Sequence, residues 1–156
     1  MGMQVLQLSF KDGNIPLDPT VAANGYFGGQ PAAINSLGQA TKATSGGGSP
    51  AYIGMFKNSQ YEDAQNGNVT IVFGASKVQF MNGSDQVENT DLSGNVIEGA
   101  PYDTTQTYAN AQYLYIDHVS GLWTNQSAGN GTAKGIITKA PTSTDSTLEA
   151  YMFAVA

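Results

Sequence analysis

The sequence predicts an all-β protein, a single antiparallel β-sandwich or barrel-like domain built from two related β units. Three observations carry that expectation. Apolar and polar residues alternate with period two at several places, tight-turn pairs of Asn or Asp with Gly separate the alternating runs, and one stretch of the chain is written twice.

Taken in order, the first alternating run is Val5 to Phe10, which puts Leu6, Leu8 and Phe10 on one face ahead of Asp12-Gly13 and the Pro16/Pro19 stretch. Residues 1–20 read as an N-terminal arm or as the first strand, and residues 21–156 as the β domain. Further runs lie at Val69 to Phe73, Val78 to Phe80, Tyr113 to Ile116 and Leu148 to Phe153, rich in the β-branched and aromatic residues that suit a half-buried pleat. Asn24-Gly25, Asn66-Gly67, Asn82-Gly83 and Asn130-Gly131 accept positive φ cheaply and so reverse the chain. Helical periodicity is confined to one short segment near 59–66, where Ser59 can cap, Glu62 can reach back and Gly67 stops the turn.

The repeated stretch is Ile34-Asn35-Ser36-Leu37-Gly38-Gln39-Ala40-Thr41 against Ile116-Asp117-His118-Val119-Ser120-Gly121-Leu122-Trp123-Thr124. Gly54-Met55-Phe56 then answers Gly135-Ile136-Ile137, and Val69 to Phe73 answers Leu148 to Phe153, at a near-constant offset. One β unit used twice follows, with a first unit at about 26–83, an acidic connector at about 84–100 and a second unit at about 101–156. The small-residue stretches Thr44 to Ser49 and Gln126 to Thr132 occupy the same place in each copy.

Composition narrows the function classes. A chain of 156 residues holds one domain with a sizeable core. It has no Cys, which excludes disulfides, thiolate metal sites and Cys catalysis. Charged residues are only 12% of the chain, and the six cations, all Lys, face twelve carboxylates. Phosphate binding rests on clustered cations, so no nucleic-acid partner is expected. No apolar run is long enough to span a bilayer, and the N-terminus lacks the cationic region of a signal peptide. The expectation is a protein made in a cytoplasm, or a mature fragment whose leader has been removed, with no membrane partner.

No constellation of reactive residues stands out, so no catalytic residue, cofactor or metal is expected. His118 is the only histidine, and Asp117 precedes it directly on a strand end, where neighbours point to opposite faces and cannot form the carboxylate–imidazole pair of a triad. Asp85, Glu88, Asp91, Glu98 and Asp103 fall in or beside the connector; Asp91-Leu92-Ser93-Gly94-Asn95 does not supply the alternating oxygen ligands of a calcium loop, and a solvated connector is the simpler reading. Glu149 sits within a strand pattern as an outward-facing position. Trp123 reads as a core or subunit-contact residue, with a sugar-binding platform as the alternative.

The run Ala100-Pro101-Tyr102-Asp103-Thr104-Thr105-Gln106-Thr107-Tyr108, with Gln112 to Asp117, Gly121 to Asn125, Gly135-Ile136-Ile137 and Leu148 to Phe153, resembles the C-terminal half of tailed-phage head decoration, or capsid cement, proteins. Tyr52 to Ser59, Glu62-Asp63-Ala64 and Asn66 to Val72 extend the likeness into the first half; the acidic connector has no counterpart in it. The resemblance implies a small β protein without enzymatic activity, often trimeric or otherwise homo-oligomeric. Such a protein sits on the outer surface of the virion capsid, binds the major capsid protein and clamps adjacent capsomers. Within that picture the expected capsid or subunit contacts are Val5, Leu6, Leu8 and Phe10, in a terminal segment able to add to a neighbouring sheet edge, together with Tyr26, Phe27 and Trp123. A phage tail or receptor-binding protein, or a carbohydrate-binding β module, is the alternative.

Overall fold

The computed structural model describes residues 3–7, 10–44, 51–57, 68–73, 76–81 and 99–154. Eleven strands and one short helix lie among them: β1 (Met3–Gln7), β2 (Phe10–Pro16), α1 (Pro19–Asn24), β3 (Pro31–Ile34), β4 (Ala40–Lys42), β5 (Tyr52–Phe56), β6 (Asn68–Phe73), β7 (Ser76–Phe80), β8 (Tyr113–Ile116), β9 (Trp123–Thr124), β10 (Gly135–Lys139) and β11 (Leu148–Met152). They form two antiparallel sheets, a six-stranded one in the order β1-β7-β11-β10-β8-β9 and a five-stranded one in the order β2-β6-β5-β3-β4. The all-β expectation and the two related units are therefore features of the fold.

The two sheets are the same unit, strand for strand. Replacing β2, β6, β5, β3 and β4 by β7, β11, β10, β8 and β9 turns one order into the other and leaves β1 without a counterpart. Registers agree as well. Ala32 faces Gly54 where Leu114 faces Gly135; Phe56 faces Ile71 where Ile137 faces Ala150; and Lys11 faces Val72 where Lys77 faces Tyr151.

Between strands the backbone hydrogen bonds repeat too, because each unit must satisfy the same polar groups. Gly29 N–H donates to Phe56 O and Phe56 N–H to Gln30 O, while Ala111 N–H donates to Ile137 O and Ile137 N–H to Gln112 O. The Gln30 and Gln112 side chains accept from Phe27 N and Ala109 N at 3.1 and 2.9 Å. Asp18 N–H donates to Ala40 O and Asp103 N–H to Trp123 O, each beside an isolated bridge, Leu17 with Ala40 and Tyr102 with Trp123.

Two placements differ from the sequence reading. The Val5–Phe10 run is not one strand: β1 pairs with β7 in the six-stranded sheet, and Phe10 opens β2 in the other. Strand β7 falls within residues 26–83, yet it hydrogen-bonds to β11, and its equivalent in the first unit is β2, from the segment assigned to residues 1–20. The helix expected near 59–66 lies outside the described residues, and the helix the structure shows is α1. There Asp18 Oδ1 accepts from Thr20 N at 2.9 Å and Pro19, whose missing N–H costs nothing at a helix start, takes the first position.

The sheets stack in one direction. Leu114, Ile116, Ile137, Leu148, Ala150, Met152, Val78 and Phe80, on one face of the six-stranded sheet, are buried in a core shared with Ala33, Met55, Val72 and Tyr52 of the five-stranded sheet. The equivalents of that first set, including Ala32, Phe56, Val69 and Ile71, lie on the opposite face of the five-stranded sheet, in a second core closed by Val21 of α1 and by Tyr26. Like faces therefore point the same way, and the order through the molecule is α1, five-stranded sheet, six-stranded sheet, solvent.

Candidate interaction surface

The residues expected to make contacts are scattered by this arrangement. Val5 pairs with Val78 inside β1, Leu6 lies in the same strand, Leu8 is outside the described residues, and Phe10 faces Phe73 across β2 and β6. Phe27 is half-buried. Tyr26 is buried against Phe56, with ring centroids 4.4 Å apart. Trp123 lies between the sheets, donating Nε1–H to Gly29 O at 2.7 Å, stacked on Phe80 and edge-on to Tyr52. A subunit contact or sugar platform at Trp123 needs an exposed indole, and this one is 0% exposed.

Five large hydrophobic residues are exposed among those described: Leu37, Val119, Tyr113, Tyr151 and Phe153. Leu37 and Val119, each 79% exposed, stand at equivalent points on the tips of the β3–β4 and β8–β9 hairpins. Both tips are fixed in the same manner. Asn35 Oδ1 accepts from Leu37 N and Gln39 N at 2.9 and 3.0 Å, and Asp117 Oδ1 accepts from Val119 N and Ser120 N at 2.7 and 3.2 Å. Gly38 and Gly121 close the turns at φ 74 and 70. An aliphatic side chain held out by a rigid turn satisfies nothing within the fold.

The other three exposed residues share the solvent face of the six-stranded sheet. Along β8 and β11 buried and exposed residues alternate, so Tyr113, Tyr115, Glu149 and Tyr151 point outward. Ile136 sits between Tyr113 and Tyr151 in the same row, and Phe153 meets the Tyr113 ring edge-on at 6.4 Å. The sequence displayed this signal in the aromatic, alternating Tyr113-Leu114-Tyr115, but which face would be covered depends on how the sheets stack.

The polar groups that gather elsewhere among the described residues are engaged within the fold. A shallow hollow of about 310 Å³ is lined by Tyr102, Gln106, Tyr108, Thr142 and Ser146. Its phenols already donate to backbone, Tyr102 to Ser146 O at 2.5 Å and Tyr108 to Asp103 O at 2.7 Å. Burial, then the nearby Asp103 charge, pushes the Tyr108 hydroxyl far above its ordinary range, so it stays protonated. His118 turns away from Asp117: Asn130 Oδ1 accepts from both its backbone N–H and its Nδ1, the latter at 2.6 Å. Among the described residues no three His, Asp or Glu side chains gather as a metal site requires, and no helix is long and apolar enough to cross a membrane. Residues 85–98 of the connector lie outside the described residues.

Compared with family models, curated proteins and solved structures, the chain matches none.

Proposed function

We propose that this protein is a virion structural protein that binds the outer surface of a phage capsid and stabilises the head by bridging capsomers, with the major capsid protein as its partner. The observation that carries the proposal is the pair of equivalent hairpin tips, each presenting one exposed aliphatic residue, Leu37 and Val119. Two like docking points on one chain fit a surface that offers the same notch repeatedly, as a lattice of identical subunits does. Binding at one tip raises the effective concentration of the other, so two weak contacts hold far better than one. The resemblance of the sequence to head decoration proteins points the same way.

The test is sedimentation of the purified chain with undecorated heads. Co-pelleting at a fixed molar ratio is expected. Leu37→Ser with Val119→Ser should reduce the pelleted fraction about tenfold or more, since burying each aliphatic side chain is worth roughly 1.5–3 kcal/mol, while thermal unfolding stays unchanged. A wild-type chain that remains in the supernatant would overturn the proposal.

A further inference from the structure

We infer that the solvent face of the six-stranded sheet, centred on Tyr113, Ile136, Tyr151 and Phe153, is where two copies of this chain associate about a twofold axis.

The duplicated fold itself shows that such a face is one that another layer covers. The equivalents of Tyr113, Ile136 and Tyr151 in the five-stranded sheet are Pro31, Met55 and Val72, as the shared registers fix. These three are buried, and Met55 and Val72 are covered by the apolar face of the six-stranded sheet. The stack thus contains one filled and one open version of the same surface. The open version carries Tyr113 at 52%, Tyr151 at 39% and Phe153 at 38% exposure, a contiguous aromatic group of the kind that marks a contact surface.

A second copy is the occupant these observations select. Among the described residues its five-stranded sheet is closed by α1 and Tyr26 and the inner faces are buried in the shared core, so the sheet face they leave to offer is this same one. A surface meeting its own copy makes an isologous, closed contact. Charge permits the match although the chain carries a net charge of −6. Strand alternation places Lys77 and Glu149 on this face, one of each sign, and Lys139 at its edge is already paired with Asp145 at 2.6 Å. Two such faces meet without net repulsion, and a twofold axis can set the cation of each copy toward the carboxylate of the other. The inference does not depend on head binding, because the assembly state is read in free solution. It differs from the trimer that the family resemblance implies.

Sedimentation velocity of the full chain over a concentration series tests it. A concentration-dependent dimer is expected, with Tyr113→Glu plus Tyr151→Glu raising its dissociation constant by roughly a hundredfold or more, since truncated aromatic anchors are the costly positions of an interface. Both side chains are exposed in the single chain, so the unfolding midpoint should not move. If the acidic pair does not fold, Tyr113→Ser plus Tyr151→Ser makes the same test with less perturbation. Leu37→Ser plus Val119→Ser should leave the dimer intact. A monomer at every concentration, a trimer, or a dimer insensitive to the Tyr113 and Tyr151 changes would overturn the inference.

Discussion

Among the described residues the five-stranded sheet is covered on both faces and the six-stranded sheet on one, although the two are built alike strand for strand. What they share is the chemistry that satisfies backbone: Gln30 and Gln112 at a turn, Asn35 and Asp117 at a hairpin tip, Asp18 and Asp103 at a strand end. What separates them is side-chain volume on one face, where Pro31, Ala33, Met55 and Val72 stand in place of Tyr113, Tyr115, Ile136 and Tyr151. Flat or slender residues let the second sheet close down; aromatic rings remain where solvent, or a partner, lies beyond. A duplicated framework is held by turns and ladders, and burial is decided by what is written on the faces between them.

The glycines Gly54 and Gly135 test that comparison most severely, because they occupy the same register in β5 and β10. A Cβ at Gly54 would run into the Val72 carbonyl, which is backbone and cannot yield without parting two paired strands. At Gly135 the nearest atom is Met152 Sδ, at 2.7 Å, the far end of a flexible side chain. Gly54→Ala should therefore lose roughly 3 kcal/mol in denaturant unfolding and Gly135→Ala about 1 kcal/mol, within the range for overpacked cores. Equal losses would show that the five-stranded sheet is no more tightly closed at this point than its twin.

The next pair should move in opposite directions. Gly29 and Ala111 fill the same place before β3 and β8, at φ 95 and 68, and Ala111 is the one residue other than Gly at positive φ among those described. Ala111 bears the steric cost of that conformation, about 1–2 kcal/mol, partly offset by the greater chain entropy a glycine would lose. Ala111→Gly should thus gain roughly 0.5–1 kcal/mol. Gly29→Ala adds strain at a position where a Cβ would lie 2.6 Å from Phe80 Cδ1, and should lose about 2 kcal/mol. Changes of the same sign would mean that the two turns are not equivalent.

Legibility in the sequence followed the range of the interaction. The strands at Val69, Tyr113 and Leu148 and the repeat at Ile34 and Ile116 were readable because alternation and Asx-Gly turns are local. Leu37 and Val119 fall inside the repeat, but their exposure follows from both turns being held by their own Asx side chains. Asp18-Pro19 carries a helix-start signal, a cap followed by Pro, within the stretch read above only as Pro16/Pro19. The partition of β2 and β7 between sheets, the partners that surround the Trp123 ring and the open face at Tyr113 depend on pairings between residues far apart in the chain, which no local pattern encodes.

The smallest effect belongs to the paired carboxylates Asp18 and Asp103. The Thr20 N–H leads in holding the Asp18 carboxyl below its ordinary value, against a partial desolvation cost, with Thr41 and Asn35 assisting. At Asp103 desolvation is the largest influence and opposes the shift, but the Thr105 hydroxyl and N–H and the Gln106 amide together outweigh it. A carboxyl whose folded pKa lies below its unfolded one stabilises the fold above the unfolded value and ceases to do so as pH falls through the folded one. Asp18→Asn and Asp103→Asn keep an acceptor oxygen and remove only the charge; solvent reaches both carboxyls and screens them, so each change should cost only about 0.5 kcal/mol or less at neutral pH. That gap from the wild type should close as the pH falls below the ordinary carboxylate range, along similar curves for the two sites. A gap that persisted in strong acid would assign the effect to the shape of the side chain, and a gap at one site alone would break the equivalence of the two units where their hydrogen bonds agree most closely.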